Sequence, residues 1–185
     1  MAGRALVGVL ALQGGFEAHL KALDGLGAAT REVRVPADLE GLTGLVLPGG
    51  ESTTIRMGVE REGLAEPIGA LQQRGVPILG TCAGMIMMSR GYLELIDIEV
   101  QRKAFGRQLH SFEEQLVVNG FNDGAPVKTA FIRAPKIVKV GKGVDVLAAV
   151  DGVPVAAKQG NCLALAFHPE LTGALCFHRW MLGNN

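Results

Sequence analysis

Three short aliphatic runs, each ending at or near glycine, place the strongest constraint on the fold of this chain. They span Ala5–Leu12, Gly44–Pro48 and Val76–Gly80. Short runs of this composition are typical of strands buried on both faces of a parallel sheet. The chain is therefore expected to contain a central sheet that is covered on both sides.

Segments with the apolar spacing of amphipathic helices separate these strands. The first, Phe16–Leu26, stops before Gly27, a residue suited to a helix C-terminus. Further helices are expected from about Ser52 to Glu60 and over Leu64–Arg74. A weaker strand is expected at Thr30–Val35. This alternation predicts an α/β fold with a three-layer, doubly wound, mostly parallel sheet of the flavodoxin-like kind.

After Leu93 the pattern changes to short strand-like segments with few helix signals. They are expected to be antiparallel additions to the same core, followed by a closing helix at Ala174–Leu182. The expected strands are Leu116–Val118, Val127–Ile132, Ile137–Val140, Val144–Ala149, Val153–Ala157 and Leu163–Phe167.

Composition narrows the class of protein. The 185 residues are 48% hydrophobic and 19% charged with zero net charge, which indicates a globular chain, expected to be one domain over residues 1–185. The sequence has no run of like charge, so neither nucleic acid nor an anionic membrane surface is expected as a partner. Three cysteines without C-x-x-C spacing fit neither a disulfide framework nor a zinc site, so a reducing cytoplasm is expected, with no metal. The apolar stretch after Arg4 is too short to span a bilayer and lacks an export signal's cleavage pattern.

Cys82 lies in Gly80-Thr-Cys-Ala-Gly84, which has the G-x-[S/C]-x-G form of a nucleophile elbow. Such a turn joins a strand to a helix and raises the nucleophile above the sheet edge. The helix dipole and the free N–H groups there favour a thiolate. The alternative is a buried structural cysteine, which is the better interpretation of Cys162 and Cys176.

His168 and Glu170 are the candidate partners of this cysteine. His168 follows the apolar run Leu163–Phe167, and Glu170 is placed to orient its imidazole, as in a Cys-His-Glu triad. Taken alone, His168 would be interpreted as an ordinary loop histidine. The other histidines, His19, His110 and His178, are expected to be surface or packing residues.

Two backbone N–H groups could form an oxyanion hole. Ala83 directly follows the candidate nucleophile, and Gly50 follows the third strand in Pro48-Gly49-Gly50-Glu51-Ser52. An oxyanion hole stabilises the tetrahedral intermediate of acyl transfer by a few kcal/mol. A glycine pair more often marks a plain turn, so this interpretation depends on the elbow.

Several segments together resemble class I (triad) glutamine amidotransferases and, more narrowly, the PdxT/SNO family, the glutaminase subunits of pyridoxal 5′-phosphate synthase. They occur in family order along nearly the whole chain. The matching segments are Gly8–Gly14, Leu45–Thr54, Gly80–Gly84, Phe105–Gln108, Ser111–Glu113, Phe131–Pro135, Ala157–Gly160 and Phe167–Thr172.

The resemblance implies a set of residue roles. Cys82 is implied to be the nucleophile, His168 the base and Glu170 its orienter. The residues implied to line a site for L-glutamine are Gly50, Glu51, Ser52, Arg107, Ile132 and Arg133. An arginine suits the α-carboxylate of glutamine, and a carboxylate suits its α-ammonium group.

The resemblance also implies a reaction and a partner. Glutamine would be hydrolysed to glutamate and ammonia without a metal or cofactor in this chain. The ammonia would pass to a separate synthase subunit of the PdxS/SNZ type, within a large hetero-oligomer that makes pyridoxal 5′-phosphate. The region from Gln13 to His19 is a candidate for the face that binds this subunit.

Three other functions are compatible with parts of the sequence. The chain could be the glutaminase subunit of another biosynthetic amidotransferase, against which Phe105–Gln108 and Phe131–Pro135 argue. It could be an inactive scaffolding subunit, against which Cys82, His168 and Glu170 argue. A peptidase or deglycase with an elbow cysteine would have no clamp for free glutamine.

Overall fold

A seven-stranded sheet forms the centre of the computed structural model, which describes residues 4–102 and 111–183. The strands within these ranges are β1 (Leu6–Leu10), β2 (Ala29–Val33), β3 (Gly44–Leu47), β4 (Ile78–Thr81), β5 (Ile98–Gln101), β6 (Ser111–Leu116), β7 (Val127–Ile132), β8 (Lys136–Val140), β9 (Asp145–Val150), β10 (Val153–Gln159) and β11 (Cys162–Leu165). The central sheet has the order β2-β1-β3-β4-β11-β10-β9. Its first five strands are parallel, and β10 and β9 are antiparallel additions at one edge.

The α-helices lie between the strands or follow the last of them. They are α1 (Phe16–Gly25), α2 (Ser52–Glu62), α3 (Ala65–Gln73), α4 (Ala83–Met88), α5 (Pro169–Thr172) and α6 (Cys176–Met181). From β1 the chain moves to β2 on one side, and from β3 it moves to β4 on the other. Right-handed crossovers in opposite directions place α1 on one face and α2 and α3 on the other. The expected doubly wound, three-layer α/β fold is confirmed.

The strands expected from aliphatic runs are present. The strands β3, β4 and β11 are buried along their whole length, which explains why their sequences are apolar runs. The expectation of an antiparallel strand at Leu163–Phe167 is confirmed on one side, where β11 pairs with β10, and wrong on the other, where β11 pairs parallel with β4. This strand lies in the interior of the sheet, between β4 and β10.

Two small antiparallel sheets were harder to predict. The first pairs β5 with β8, and the second pairs β6 with β7. The first strand of the second pair begins at Ser111, whereas the sequence predicted a strand at Leu116–Val118. Its residues Phe112–Gln115 are largely polar and exposed or half-buried, so the strand has no apolar run by which it could be predicted.

Within residues 4–102 and 111–183, no helix is both long and apolar enough to cross a bilayer.

The carboxyl ends of the parallel strands meet at one edge of the sheet. In doubly wound sheets the ligand crevice forms at this edge, between the two neighbouring strands whose following connections run in opposite directions. Here that point lies between β1 and β3. The segments following β1, β3, β4 and β11 carry Gln13, Gly49, Cys82 and His168, so the fold brings these four segments together.

Glycines at the turn between β4 and α4 allow unusually close packing. A Cβ atom at Gly84 would overlap the carbonyl oxygen of Leu47 in β3, and one at Gly80 would overlap the sulfur of Met88. The first neighbour is backbone and cannot rotate away. The helix after Cys82 therefore lies against β3 at a distance that only glycine permits.

We expect Gly84→Ala to destabilise the protein by at least about 2 kcal/mol, because the new methyl group must displace the backbone of β3. Gly69→Ala is the matched control. Gly69 lies within α3 with no atom close to its Cβ position, so this change should stabilise the protein by about 0.5–1 kcal/mol. Urea unfolding of both variants measures the difference, and equal stabilities would contradict this account of the turn.

Candidate active site

Cys82 occupies a strained turn between β4 and α4. Its φ of 51° and ψ of −107° lie outside the regions that a non-glycine residue normally adopts. The Cys82 N–H donates to the Leu165 carbonyl at 2.8 Å, which anchors the turn to β11. The side chain is 9% exposed, and its sulfur lies 3.9 Å from the Ile132 carbonyl oxygen. This is the geometry expected of a nucleophile elbow.

His168 and Glu170 lie beside this turn. His168 precedes α5, and its N–H donates to the Ala130 carbonyl of β7 at 2.9 Å. Its Nδ1 is 2.7 Å from Oε1 of Glu170, whose side chain is only 2% exposed. A Cβ atom at Gly49 would lie 2.5 Å from Cε1 of His168 and 3.4 Å from Cβ of Cys82. The imidazole and the thiol therefore flank the same glycine.

The two partners favour each other's charged form. Burial lowers the pKa of His168, but hydrogen bonding with Cys82 and Glu170 outweighs it and raises the pKa to about 10. Burial also raises the pKa of the Glu170 carboxyl, but the hydrogen bond from His168 and the positive charge of that imidazole bring the pKa below its usual value. The site thus holds an imidazolium against a carboxylate at neutral pH.

Two further histidines lie behind Glu170, and sequence reasoning assigned them no role. His19 of α1 and His178 of α6 are both fully buried, with Nδ1 of the first 2.9 Å from Nε2 of the second. Nε2 of His19 lies 3.1 Å from Oγ1 of Thr81 and 3.5 Å from Oε2 of Glu170. The burial of His19 could have been predicted from the sequence, because this residue lies one turn from Phe16 and from Leu23 on the apolar face of its helix.

A cavity of about 290 Å³ opens above Cys82. Its size is at the lower end of the range for small-molecule sites. Nine of the residues expected at the site line it: Gly50, Glu51, Ser52, Cys82, Ala83, Ile132, Arg133, His168 and Glu170. Arg107, also expected there, lies outside the described residues, as does His110. Further lining residues, to which the sequence analysis assigned no role in the glutamine site, are Gly15, Ala18, Gly49, Ile86, Arg102 and Leu171.

Opposite charges face each other at the mouth of the cavity. Nη2 of Arg133 lies 3.3 Å from Oε1 of Glu51, and both side chains are more than half exposed. Arg102 donates from Nη1 to the hydroxyl groups of Ser52 and Thr53, at 3.0 Å each. The cavity therefore offers both a cation and an anion to a zwitterionic ligand.

The Gly49–Gly50 peptide is oriented by the loop after β1. The N–H of Gly15 donates to the Gly49 carbonyl at 2.9 Å, and Oε1 of Gln13 accepts the N–H of Glu51 at 2.7 Å. In a trans peptide the N–H points opposite to the carbonyl, so the Gly50 N–H is directed away from Gly15. Gly50 has a φ of 154°, a conformation that favours glycine.

The other two cysteines lack this setting. Cys162 is fully buried in β11, where burial raises the pKa of its thiol to about 12, and burial also raises the pKa of Cys176. Both agree with the structural roles expected for them. Within the part of the chain that the structure describes, no cluster of three His, Cys, Asp or Glu residues could hold a metal ion.

The raised pKa of His168 predicts a pH-dependent stability. A group whose pKa rises from 6.5 to about 10 on folding stabilises the fold fully below pH 6.5 and loses that contribution as pH rises through about 10. We therefore expect the difference in unfolding free energy between wild type and His168→Gln to shrink from pH 6 to pH 10. Urea unfolding measures it.

His178→Gln is the matched control for this experiment. Burial lowers the pKa of His178 to about 3, so this imidazole is neutral throughout the same range. Above about pH 8 the imidazole is neutral in the unfolded chain as well, so its effect on stability should be constant from pH 8 to pH 10, the range in which the effect of His168→Gln should still shrink. A constant effect of His168→Gln as well would contradict a charged His168.

Comparisons with known proteins match this chain along almost its whole length. The SNO glutamine amidotransferase family matches residues 9–184. A relative from Dehalococcoides mccartyi, named pyridoxal 5′-phosphate synthase subunit PdxT, is 50% identical over 95% of both chains. A relative of the same name from Cutibacterium acnes is 48% identical over 96% of this chain and 95% of its own.

A solved structure supports the same relationship. The crystal structure of a glutamine amidotransferase superposes with a TM-score of 0.87 at 44% identity, covering 96% of this chain and 97% of its own. Its similarity extends over both the parallel core and the antiparallel additions. On this evidence the chain belongs to the SNO glutamine amidotransferase family.

Proposed function

We propose that this chain is the glutaminase subunit of a pyridoxal 5′-phosphate synthase, hydrolysing L-glutamine to L-glutamate and ammonia. The observation that carries the proposal is the placement of Cys82 on a strained turn beside the buried His168–Glu170 pair, at the floor of one cavity. Family membership and PdxT relatives near 50% identity support the substrate and the pathway.

Acyl transfer begins at the sulfur. The Cys82 thiolate attacks the side-chain amide carbon of glutamine, forming a carbon–sulfur bond and a tetrahedral oxyanion. The N–H groups of Ala83, the first residue of α4, and of Gly50 would bind this oxygen. His168 donates its proton to the amide nitrogen, and the carbon–nitrogen bond breaks to release ammonia.

The second half returns the enzyme to its starting state. His168, now neutral, removes a proton from water, and the resulting hydroxide attacks the γ-glutamyl thioester. The carbon–sulfur bond breaks to give glutamate and the Cys82 thiolate, while the imidazole keeps the proton. Glu170 stabilises this imidazolium through the 2.7 Å contact with Nδ1. The steps use only these side chains, the two N–H groups and water.

The mouth of the cavity suits the polar end of glutamine. Arg133 would bind the α-carboxylate and Glu51 the α-ammonium group, since both are exposed, line the cavity and lie within 3.3 Å of each other. Ser52, Ile132 and Arg107 would complete the site, as the family resemblance implies.

The partner would be a synthase subunit of the PdxS/SNZ type in a hetero-oligomer. An exposed apolar side chain supports a protein-binding surface at the cavity, since Leu171, one of its lining residues, is 56% exposed. The region Gln13–His19 contributes Gly15 and Ala18 to the same rim. None of the three cysteines forms a disulfide in the structure, which agrees with the cytoplasmic setting that we propose.

Glutamate release from L-glutamine, with and without a pyridoxal 5′-phosphate synthase subunit, tests the reaction. We expect activity to rise when the synthase subunit is present, and Cys82→Ala to lower it at least about 10³-fold, because the nucleophile is lost. Cys176→Ala is the matched control, since this cysteine lies in α6 outside the cavity, and should keep activity within about twofold. A folded wild-type chain without activity under either condition would overturn the proposal and favour a scaffolding subunit.

Glu51→Gln tests the glutamine site. We expect the KM for glutamine to rise about 10- to 100-fold with little change in kcat, because a charge-assisted hydrogen bond to the α-ammonium group is weakened. Glu60→Gln is the control, since Glu60 lies in α2, the helix that follows Glu51, and pairs there with Arg56.

A substrate analogue sharpens this test. Glutaramate is glutamine without the α-amino group, and it should bind wild type poorly. If Glu51 receives the ammonium group, Glu51→Gln should discriminate far less between glutamine and glutaramate. Unchanged discrimination would assign the ammonium group to another residue.

A further inference from the structure

We propose that His19 is a positioning residue of the triad, whose Nε2–H faces the second carboxylate oxygen of Glu170 and fixes that carboxylate against His168. This inference rests on the proposed glutaminase function. It extends the site from three residues to a buried chain that reaches α6.

The geometry shows an oxygen that lacks a partner. Oε1 of Glu170 is bound to His168, but Oε2 is buried and makes no hydrogen bond to any described residue. A buried carboxylate oxygen without a donor is costly. Nε2 of His19 lies 3.5 Å from this oxygen. Catalytic hydrogen bonds are often long in the free enzyme and shorten when the substrate binds.

The direction of the hydrogen bonds can be deduced from the far end of the chain. Nδ1 of His178 is also buried and has no partner among the described residues. If this atom carried the proton, a buried N–H would be left without an acceptor. If it is unprotonated, only a lone pair is left unsatisfied, which is the smaller cost.

With Nδ1 of His178 unprotonated, the positions of the remaining imidazole protons follow. His178 then donates from Nε2 to Nδ1 of His19 across 2.9 Å. With Nδ1 accepting, the proton of a neutral His19 lies on Nε2, shared between Oγ1 of Thr81 and Oε2 of Glu170. The opposite arrangement would point a nitrogen lone pair at a carboxylate oxygen, which is repulsive.

His19 must stay neutral for this role. The groups that face it are Glu170 and His168 from the segment at α5, His178 from α6 and Thr81 from β4. Burial, together with the His168 charge, lowers the pKa of His19 despite the attraction of Glu170. A second cation here would compete with His168 for the same carboxylate. A neutral donor instead satisfies Oε2 and leaves the charge of Glu170 to His168.

Two substitutions separate the N–H group from the volume of the imidazole. His19→Leu keeps the approximate volume and removes the donor, whereas His19→Gln places an amide N–H near the position of Nε2. Assayed with the synthase subunit, His19→Leu should lower kcat about 10- to 100-fold with KM within about twofold. His19→Gln should recover kcat to within about threefold of wild type.

Leu23→Ala is the structural control. Leu23 is fully buried one turn further along α1, so its truncation loosens the same helix without touching Glu170. It should lower the melting temperature with kcat nearly unchanged. The inference is overturned if His19→Leu keeps its kcat, or if His19→Gln is as slow as His19→Leu.

A measurement on wild type covers the case in which His19→Leu does not fold. In protein with ¹⁵N-labelled histidine, nitrogen–proton correlation spectra should show His19 as the neutral Nε2–H tautomer at neutral pH. An Nδ1–H tautomer or a charged ring would overturn the inference. Failure of the proposed function is distinguishable, since wild type would then release no glutamate, whereas failure of this inference leaves wild type active and Cys82→Ala inactive.

Discussion

The contact between Gly84 and the Leu47 carbonyl oxygen is the constraint on which the geometry of the site depends. It allows α4 to lie against β3, while the hydrogen bond from the Cys82 N–H to Leu165 holds the same turn to β11. These two attachments fix the backbone on both sides of Cys82 and hold the residue at its positive φ. A backbone strained by about 1–3 kcal/mol persists only where its surroundings over-determine it. Here the surroundings are the interior strands of the central sheet.

One buried carboxylate organises the charges around that turn. Glu170 contacts a histidine on each side, and the two differ in protonation because they differ in environment. His168, next to the cavity and Cys82, has its pKa raised, whereas His19, enclosed by α1, α6 and β4, has its pKa lowered. Glu170 can therefore stabilise one imidazolium strongly instead of two weakly. His168 and His19 are the same type of residue, so the difference in their protonation results from their surroundings alone.

Sequence patterns predicted the parts of the structure that depend on local information. The strands β1, β3 and β4 are apolar because they are buried on both faces, and the elbow motif marks Cys82 because only small neighbours fit such a turn. The apolar run before His168 and its spacing from Glu170 made these residues the candidate partners of Cys82, the family resemblance implied the same roles, and the structure brings both to Cys82.

The remaining features depend on tertiary contacts that a single sequence does not display. The polar strand β6 is defined by its pairing with β7 rather than by hydrophobicity. Arg102 enters the cavity only because β5 ends beside α2. His19 and His178 are separated by 159 positions, and each is a lone polar residue on an otherwise apolar helix face. Their juxtaposition results from the packing of α1 and α6 on the same face of the sheet.

The interior position of β11 has a consequence for the order in which the protein can be assembled. This strand is the last of the sheet in sequence, yet it separates β4 from β10 and anchors the turn at Cys82. A growing chain that ends before Cys162 has a gap in the middle of its sheet and lacks both His168 and Glu170. Contacts over such long sequence separations form late and slowly in folding. A nascent or truncated chain therefore cannot release ammonia, so hydrolysis begins only after nearly all of the polypeptide has been synthesised and folded.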